Sequence, residues 1–386
     1  MKKVEGGVTA AKGFQAAGCA AGIKKEGIMD MAMIYSETPC HTAGTFTTNV
    51  VKAAPVKWDQ DIVHHHDGAQ VVVCNSGIAN ACTGEEGMGY CRATAEEAAR
   101  MLHVPETAVL VASTGVIGKQ LPMDRIKGGI AKLALMLEDT REAAALAARA
   151  IMTTDTHPKE TAVSLELGGK TVTIGSMCKG SGMIHPNMCT MLSFVTTDVK
   201  ISGELLQEAL SEVVQDTYNM VSVDGDTSTN DTVLLLANGM AGNPEITEKN
   251  EEYEAFKAAL FEVKVVGAES KEQAVTLSKS IITSNLTKAA IFGHDANWGR
   301  ILCAMGYSGA SFDPEKVDLY FESEAGKLQI IKDGVATDYS EEEATRILSE
   351  KKVTAVADIH MGEAQATAWG CDLTYDYVKI NADYRS

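Results

Sequence analysis

The first half of the chain is dominated by short apolar runs that end in glycine. The two clearest are Gln70–Gly77 and Ala108–Gly115, in which four or five apolar residues precede small polar ones. Runs of this length, rich in Val and bounded by turn residues, are typical of strands buried on both faces. Segments rich in Ala, Leu and Glu, at about 137–152 and 203–216, indicate helices. Together these patterns predict a mixed α/β fold.

Further elements are predicted along the chain. A capping-box pattern at Thr94 and Glu97 predicts a helix that starts before Ala98, and Ser340 with Glu343 predicts another late in the chain. The remaining predicted elements are strands at 170–176, 191–197 and 262–266 and helices at 251–261 and 271–284. The polar stretch 243–252 begins with an Asn-Pro breaker and is interpreted as a linker. We therefore predict two domains, 1–242 and 243–386.

The charge of the chain excludes some classes of partner. The 386 residues carry 34 Lys and Arg against 52 Asp and Glu, a net charge of −18, and no basic cluster is found. Before Thr190 there are 18 basic and 19 acidic residues, and from Thr190 onward 16 and 33, so the acidic excess lies in the second half. Nucleic acids and anionic membranes attract concentrated Lys and Arg, which makes both unsuitable partners.

Cysteine spacing and the amino end indicate a cytoplasmic protein. The nine cysteines form no C-x-x-C pair, and an odd number cannot be fully paired within one chain. No run approaches 18 apolar residues, and the first residues lack the apolar core of a signal peptide. The run His64–His66 lies among aspartates without cysteines nearby, and a solvated loop is favoured over a metal site.

Three segments that could bind phosphate or calcium fail on inspection. Ser113–Gln120 has Ser where a P-loop needs its first Gly, and Gly180–His185 lacks the third glycine of a dinucleotide fingerprint. In the acidic loop at Asp224, position six is Thr229 instead of Gly, so helix capping or a hydrogen-bonded turn is the favoured interpretation. No metal or organic cofactor is predicted.

One segment, Lys179–Leu192 (KGSGMIHPNMCTML), carries candidate chemistry. Glycines, Pro and Asn precede Thr190, which stands at the start of an apolar strand. A threonine exposed by chain cleavage can use its own α-amine as the base that activates its hydroxyl. The alternative is that Thr190 only caps or pairs within a sheet, and the spacing alone favours this alternative.

Several blocks in order along the chain resemble the ornithine acetyltransferase family (ArgJ), bifunctional enzymes of arginine biosynthesis related in architecture to self-cleaving amidases. The blocks are Val109–Gly118, Met152–Thr156, Lys179–Thr190, Asp224–Asp231, Asn297–Arg300 and Asn381–Ser386. The resemblance implies an αββα-type core with a smaller α/β C-terminal domain. It also implies transfer of acetyl from N2-acetylornithine to glutamate by a ping-pong route, without cofactor, and leaves open whether acetyl-CoA also donates.

The resemblance assigns roles to individual residues. It implies self-cleavage between Cys189 and Thr190, with Thr190 as the nucleophile of the second fragment and an α2β2 assembly of the two fragments. Thr114 and Gly115 match the oxyanion-hole pair. The positions that match substrate contacts are Thr153, Lys179, Thr190, Asn381 and Ser386.

Two departures from the family pattern affect the interpretation. Cys189 stands where the family usually has Ala, and a DGEGATK segment expected before Glu262 is absent, together with its substrate-contacting Glu. Two alternatives therefore remain. One is a self-cleaving amidase or aminopeptidase, in which water removes the acyl group from Thr190. The other is a catalytically silent binding or scaffold protein.

Overall fold

The computed structural model describes residues 1–66, 68–183, 185, 191–260 and 268–383. The strands are β1 (Lys2–Val4), β2 (Phe14–Cys19), β3 (Met31–Phe46), β4 (Ala69–Ile78), β5 (Val109–Val116), β6 (Lys159–Leu167), β7 (Lys170–Lys179), β8 (Leu192–Thr197), β9 (Val221–Ser222), β10 (Thr232–Ala237), β11 (Asp318–Ser323), β12 (Gly326–Lys332), β13 (Val335–Ala336), β14 (Thr354–Asp358) and β15 (Trp369–Gly370). The helices are α1 (Ala54–His65), α2 (Glu86–Leu102), α3 (Met123–Leu135), α4 (Arg141–Ala150), α5 (Gly203–Gln215), α6 (Glu251–Leu260), α7 (Lys271–Thr283), α8 (Asn285–Phe292), α9 (Trp298–Gly306), α10 (Glu341–Leu348) and α11 (Tyr375–Asp383).

The chain divides into two compact units. Of the described residues, the first unit contains 1–219 and 226–260, and the second contains 220–225 and 268–383. The first unit thus extends beyond the predicted boundary at residue 242. The reason is local: the Asn243 side chain exchanges hydrogen bonds with the backbone of Lys200, and Ile246 forms a β-bridge with Ile201. The predicted linker therefore packs on the first unit.

The long strand β3 joins two sheets in the first unit. An irregularity between Tyr35 and Cys40 separates its two halves. The first half pairs with β2 and β4, and β4 continues to β5 in parallel. The second half pairs with β10, from which the sheet continues through β8, β7 and β6 to β1. Only β4–β5 and β8–β10 run parallel among these described pairs.

The first unit has four layers, because each sheet is buried on both faces. Between the sheets, Ile34, Val72 and Leu110 of one sheet share a core with Phe194 and Leu234 of the other. The outer face of the first sheet packs on α2 and α3, and that of the second packs on α5 and α6. The order helix, sheet, sheet, helix confirms the predicted α/β fold with an αββα core. It also explains the continuous apolar runs in the sequence, since such strands have no solvent-facing side.

The second unit is built on the antiparallel sheet β13–β12–β11–β14. Helix α10 covers β11 and β12 and contributes Ile347 to a core with Phe321 and Ile330. Its predicted start is confirmed, since the Ser340 hydroxyl accepts a hydrogen bond from the N–H of Glu343. The predicted strand at 262–266 lies outside the described residues.

Two local predictions are wrong. Thr94 does not begin a helix: it lies inside α2, where it is 4% exposed and faces the core, because the helix already starts at Glu86. His64 and His65 lie in the last turn of α1, so they do not belong to a loop. The eight cysteines within the described ranges are all free thiols. No helix in the described part of the chain combines the length and apolarity needed to cross a bilayer.

Candidate active site

The carboxyl end of β5 carries the first group of candidate residues. Thr114 is 5% exposed and lies opposite Ser76 of β4, and Gly115 lies opposite Gly77. Gly115 has φ +134°, and a Cβ at this position would lie 2.5 Å from the Gly77 carbonyl oxygen. Only glycine fits this close approach of two strands. Within the described residues the Thr114 hydroxyl has no hydrogen-bond partner, so it remains available to a ligand.

Asn230, two residues before β10, connects this strand end to the other sheet. The Asn230 side-chain amide donates to the carbonyl of Ser113 at 2.9 Å, and both residues are buried. Two residues later, the N–H of Thr232 donates to the carbonyl of Met191 at 3.0 Å. The segment Asn230–Thr232 therefore ties the strand end that carries Thr114 to the residue that follows Thr190 in the chain.

The ends of β7 and β8 form the next side of the site. Lys179, the last residue of β7, pairs with Leu192, the first residue of β8, and Leu192 pairs with Thr232. Residues in one register row project to the same face of a sheet. Because Leu192 contributes to the core between the two sheets, the row that contains Lys179 faces the same side.

A loop between α4 and β6 holds Thr153 near this row. The buried Asp155 carboxylate accepts hydrogen bonds from the N–H of Gly180 at 2.9 Å and of Thr153 at 3.3 Å. The Lys159 ammonium also donates to it, at 2.5 Å. Burial acts to raise the pKa of Asp155, but these three donors outweigh it and hold the pKa below its usual value.

Lys24 brings a second cation to the site. Its ammonium donates to the carbonyl oxygens of Met152 at 2.6 Å and Met29 at 3.1 Å. Its side chain passes over Gly77, where a Cβ would lie 2.8 Å from Lys24 Cγ. Burial lowers the pKa of Lys24, while the carboxylates of Asp30 and Asp155 act in the opposite direction. Lys24 therefore links the β4–β5 strand ends to the loop that carries Thr153.

Lys24 and Lys179 both act electrostatically on the buried Cys74 thiol. Burial raises the pKa of the Cys74 thiol to about 12, and the ammonium groups of both lysines act to lower it. Burial likewise raises the pKa of Asp231 to about 8, against the opposing effect of Lys179. No carboxylate lies within ion-pair distance of Lys24 or Lys179 among the residues that the structure describes. The site thus contains two ammonium groups that are not engaged in ion pairs within the described residues.

The structure brings together four of the residues predicted from the sequence: Thr114, Gly115, Thr153 and Lys179. Asn381 lies in the second unit, in α11, where its side-chain amide donates to the carbonyl of Tyr377. The predicted cleavage pair Cys189–Thr190 and the predicted substrate contact Ser386 lie outside the described residues.

The sequence-based reasoning gave no individual role to Lys24, Asp155, Asn230 or Asp231. Asp155, Asn230 and Asp231 fall inside blocks that resemble the family, and this resemblance is the signal in the sequence that could have identified them. The predicted hydrogen-bonded turn at Asp224–Asp231 is confirmed, since the Asp231 carboxylate accepts from the N–H of Ser228 at 3.2 Å.

The first unit has an αββα architecture, and its candidate residues for acyl transfer lie at strand ends between the two sheets. This is the arrangement predicted above for an acyltransferase related to the self-cleaving amidases. The chain matches the ArgJ family over residues 15–264 and 258–386. It is 51% identical to the arginine biosynthesis bifunctional protein ArgJ of Symbiobacterium thermophilum and 50% identical to ArgJ 1 of Clostridium acetobutylicum. The first alignment covers all of both chains, and the second covers 97% of this chain and 96% of the relative. The chain therefore belongs to the ArgJ family.

A solved structure, ornithine acetyltransferase of Mycobacterium tuberculosis in complex with ornithine, is 39% identical over 48% of this chain and 96% of the solved chain, with a TM-score of 0.42.

The comparisons also locate a gap in this chain. The alignment with the Symbiobacterium protein has 409 positions, and this chain has 386 residues. At least 23 positions of the alignment are therefore gaps in this chain. The two segments that match the family meet at 258–264. This is the place where the DGEGATK segment is missing from the sequence.

Proposed function

We propose that the protein transfers an acetyl group from N2-acetylornithine to glutamate through an acetyl-Thr190 intermediate. The observation that carries the proposal is the link from Asn230 to Ser113 and from Thr232 to Met191. It joins the predicted oxyanion residues to the strand that begins directly after Thr190. Membership of the ArgJ family supports the same reaction, because the named relatives are bifunctional proteins of arginine biosynthesis.

The proposed first half-reaction forms an ester. The Thr190 hydroxyl attacks the acetyl carbonyl and gives its proton to the Thr190 α-amine, which titrates around pH 8 in model peptides. The bond between the acetyl carbon and the α-nitrogen then breaks, and the departing nitrogen of ornithine takes up that proton. Acetyl-Thr190 and free ornithine result.

The second half-reaction reverses these steps with another amine. The α-amine of glutamate attacks the ester carbonyl, the ester C–O bond breaks, and N-acetylglutamate leaves while the Thr190 hydroxyl is restored. Both half-reactions pass through a tetrahedral oxyanion. The Thr114 hydroxyl and the Gly115 N–H would stabilise this oxyanion, because donors fixed before the reaction cost no reorganisation during it.

Binding of the α-carboxylate is assigned to Lys179, whose ammonium lacks an ion-pair partner in the described part of the chain. This carboxylate is common to both substrates, so one cation can serve both half-reactions. Thr153, Asn381 and Ser386 are proposed as further contacts on the basis of the family resemblance. A separate assay with acetyl-CoA in place of N2-acetylornithine would test whether acetyl-CoA also donates an acetyl group at the same site.

The mature nucleophile requires self-cleavage between Cys189 and Thr190, which yields two fragments that are proposed to assemble as α2β2. Purified protein should run as two fragments of about half the mass each, and the new amino terminus should read Thr-Met-Leu-Ser-Phe. The Thr190→Ala variant should remain uncut, since no hydroxyl is left to take up the Cys189 acyl group. A single full-length mass for the purified wild type would contradict self-cleavage.

The test of the reaction is turnover of N2-acetylornithine with and without glutamate, followed by intact-mass measurement of the second fragment. The proposal predicts one added acetyl group with acetylornithine alone and its removal when glutamate is added. Acetate release without glutamate at the same rate would instead identify an amidase. No acetylation and no turnover would favour a silent protein, and kinetics that require both substrates bound together would refute the ping-pong route.

A further inference from the structure

The Asp155 carboxylate holds two segments that are far apart in sequence. Its oxygens accept from the N–H of Thr153 and of Gly180, and Gly180 directly follows Lys179. The side chain is 1% exposed, and a salt bridge to Lys159 completes its bonding. Thr153 and Lys179 are the two substrate-contacting candidates that the described part of the first unit contains. The buried carboxylate therefore ties their two backbones together, beside a hydrogen bond between the Thr154 and Ser181 hydroxyls at 2.5 Å.

We infer that Asp155 is a positioning residue of the acyl-transfer site, which keeps Thr153 and Lys179 at the separation that the substrate's α-carboxylate and acetyl group require. The inference rests on the proposed function. Asp155 itself makes no proposed contact with substrate. Its effect is transmitted through the two backbone N–H groups, in segments that the Thr154–Ser181 hydrogen bond and the adjacent Lys159–Cys178 strand pair also hold close.

The charged surroundings of Asp155 make this role dependent on its ionisation. Lys159 of β6 donates a hydrogen bond to the carboxylate. Lys24, from the segment between β2 and β3, attracts the carboxylate electrostatically without a direct bond. The Cys178 thiol of β7 is the other titratable neighbour, and burial raises its pKa. The two lysines favour the carboxylate form, which accepts both N–H bonds. Protonation at low pH would weaken these bonds and loosen the site.

The decisive variant is Asp155→Asn, which keeps the size of the side chain but replaces one acceptor oxygen by a donor. We expect KM for N2-acetylornithine and for glutamate to rise about 10- to 100-fold, with a smaller change in kcat, because a misplaced Lys179 weakens substrate binding in both half-reactions. A KM within about twofold of wild type for both substrates would overturn the inference while leaving the proposed function intact.

A matched control is available on the neighbouring strand. Glu160 of β6 is 11% exposed and forms a two-bond salt bridge with Arg141, at 2.6 and 2.9 Å, without contact to the candidate site. Glu160→Gln should lower Tm as Asp155→Asn does, yet leave both KM values within about twofold of wild type. An equal rise of KM in both variants would show that loss of stability alone explains the effect, and would refute a specific positioning role.

A second variant covers the case in which Asp155→Asn does not fold. Lys159→Met removes the ammonium that lowers the pKa of Asp155 and leaves both backbone N–H bonds in place. The acid limb of the kcat/KM profile should then move to higher pH by about one unit. An unmoved acid limb would overturn the inference. If wild-type protein shows no acetylornithine turnover at all, the proposed function fails first and the inference fails with it.

Discussion

The Thr114 hydroxyl offers a test in which a catalytic role and a structural role predict different effects on kcat and on the free energy of unfolding. The residue is 5% exposed and its hydroxyl has no partner among the described residues. Thr114→Val replaces this hydroxyl by a methyl group of the same shape. Because the replacement breaks no hydrogen bond within the described residues, the free energy of unfolding should stay within about 1 kcal/mol of the wild-type value. Loss of one oxyanion donor should lower kcat about 10²- to 10³-fold, which corresponds to about 2.7–4 kcal/mol.

The assay combines urea denaturation with the two half-reactions measured separately. Thr114→Ser keeps the hydroxyl and should retain kcat within about tenfold. Thr197→Val is the matched control: its hydroxyl donates to the Thr173 carbonyl at 2.9 Å at the far end of β8, so this variant should lose about 1–2 kcal/mol of stability with kcat unchanged. A Thr114→Val protein that is destabilised but turns over at the wild-type rate would refute the oxyanion assignment.

Three further predictions concern the surroundings of the site. Asn230→Asp turns the donor to the Ser113 carbonyl into an acceptor and should lower kcat about 10- to 100-fold, measured as steady-state turnover; an unchanged kcat would count against the strand link. Because burial raises the pKa of Asp231 to about 8, wild-type stability should fall as pH rises from about 4 to 8, and Asp231→Asn should gain about 1 kcal/mol or more over wild type between pH 5 and pH 8.5 in urea titrations; parallel curves would contradict this. Inserting a DGEGATK-containing segment between Phe261 and Glu262 should lower KM and raise Tm, and no change in either would mean that the gap is harmless.

The parts of the fold that were predictable are those in which burial imposes a simple pattern. The strands β4 and β5 each contain an unbroken apolar run, 71–74 and 109–112, because both faces are covered there, and the sequence predicts these strands within about one residue. Strand β3 was not predicted, because its middle contains Ser36, Glu37 and Pro39, where the strand passes from one sheet to the other. A polar interruption of this kind has the same sequence appearance as a loop.

The residues of the candidate site likewise fall into those that the sequence predicts and those that it does not. Thr114, Gly115, Thr153 and Lys179 could be proposed because whole blocks around them resemble a family. Asp155 and Lys24 could not be assigned roles, because their partners in distant segments are backbone N–H and carbonyl groups that every residue possesses. A side chain that binds the backbone of a distant segment leaves no complementary residue type in the sequence. Such contacts become visible only when the strand register is known.

The charges of the site also bear on what the missing segment does. Acetylornithine and glutamate share an α-carboxylate, but their side chains carry opposite charges. A ping-pong enzyme binds both substrates in turn at one site. A fixed positive charge can stabilise both bound substrates only if it contacts their common α-carboxylate. The described site fits this requirement: Lys24 and Lys179 lack ion-pair partners among the described residues, Asp155 is neutralised by Lys159, and burial favours the neutral form of Asp231. The family resemblance implies that the absent Glu contacts an amino group of the substrate, so we expect its loss to remove a contact outside this carboxylate site. We therefore expect the chain to retain acetyl transfer with a raised KM. The discrimination between different acceptor amines should decrease more than the affinity for the α-carboxylate.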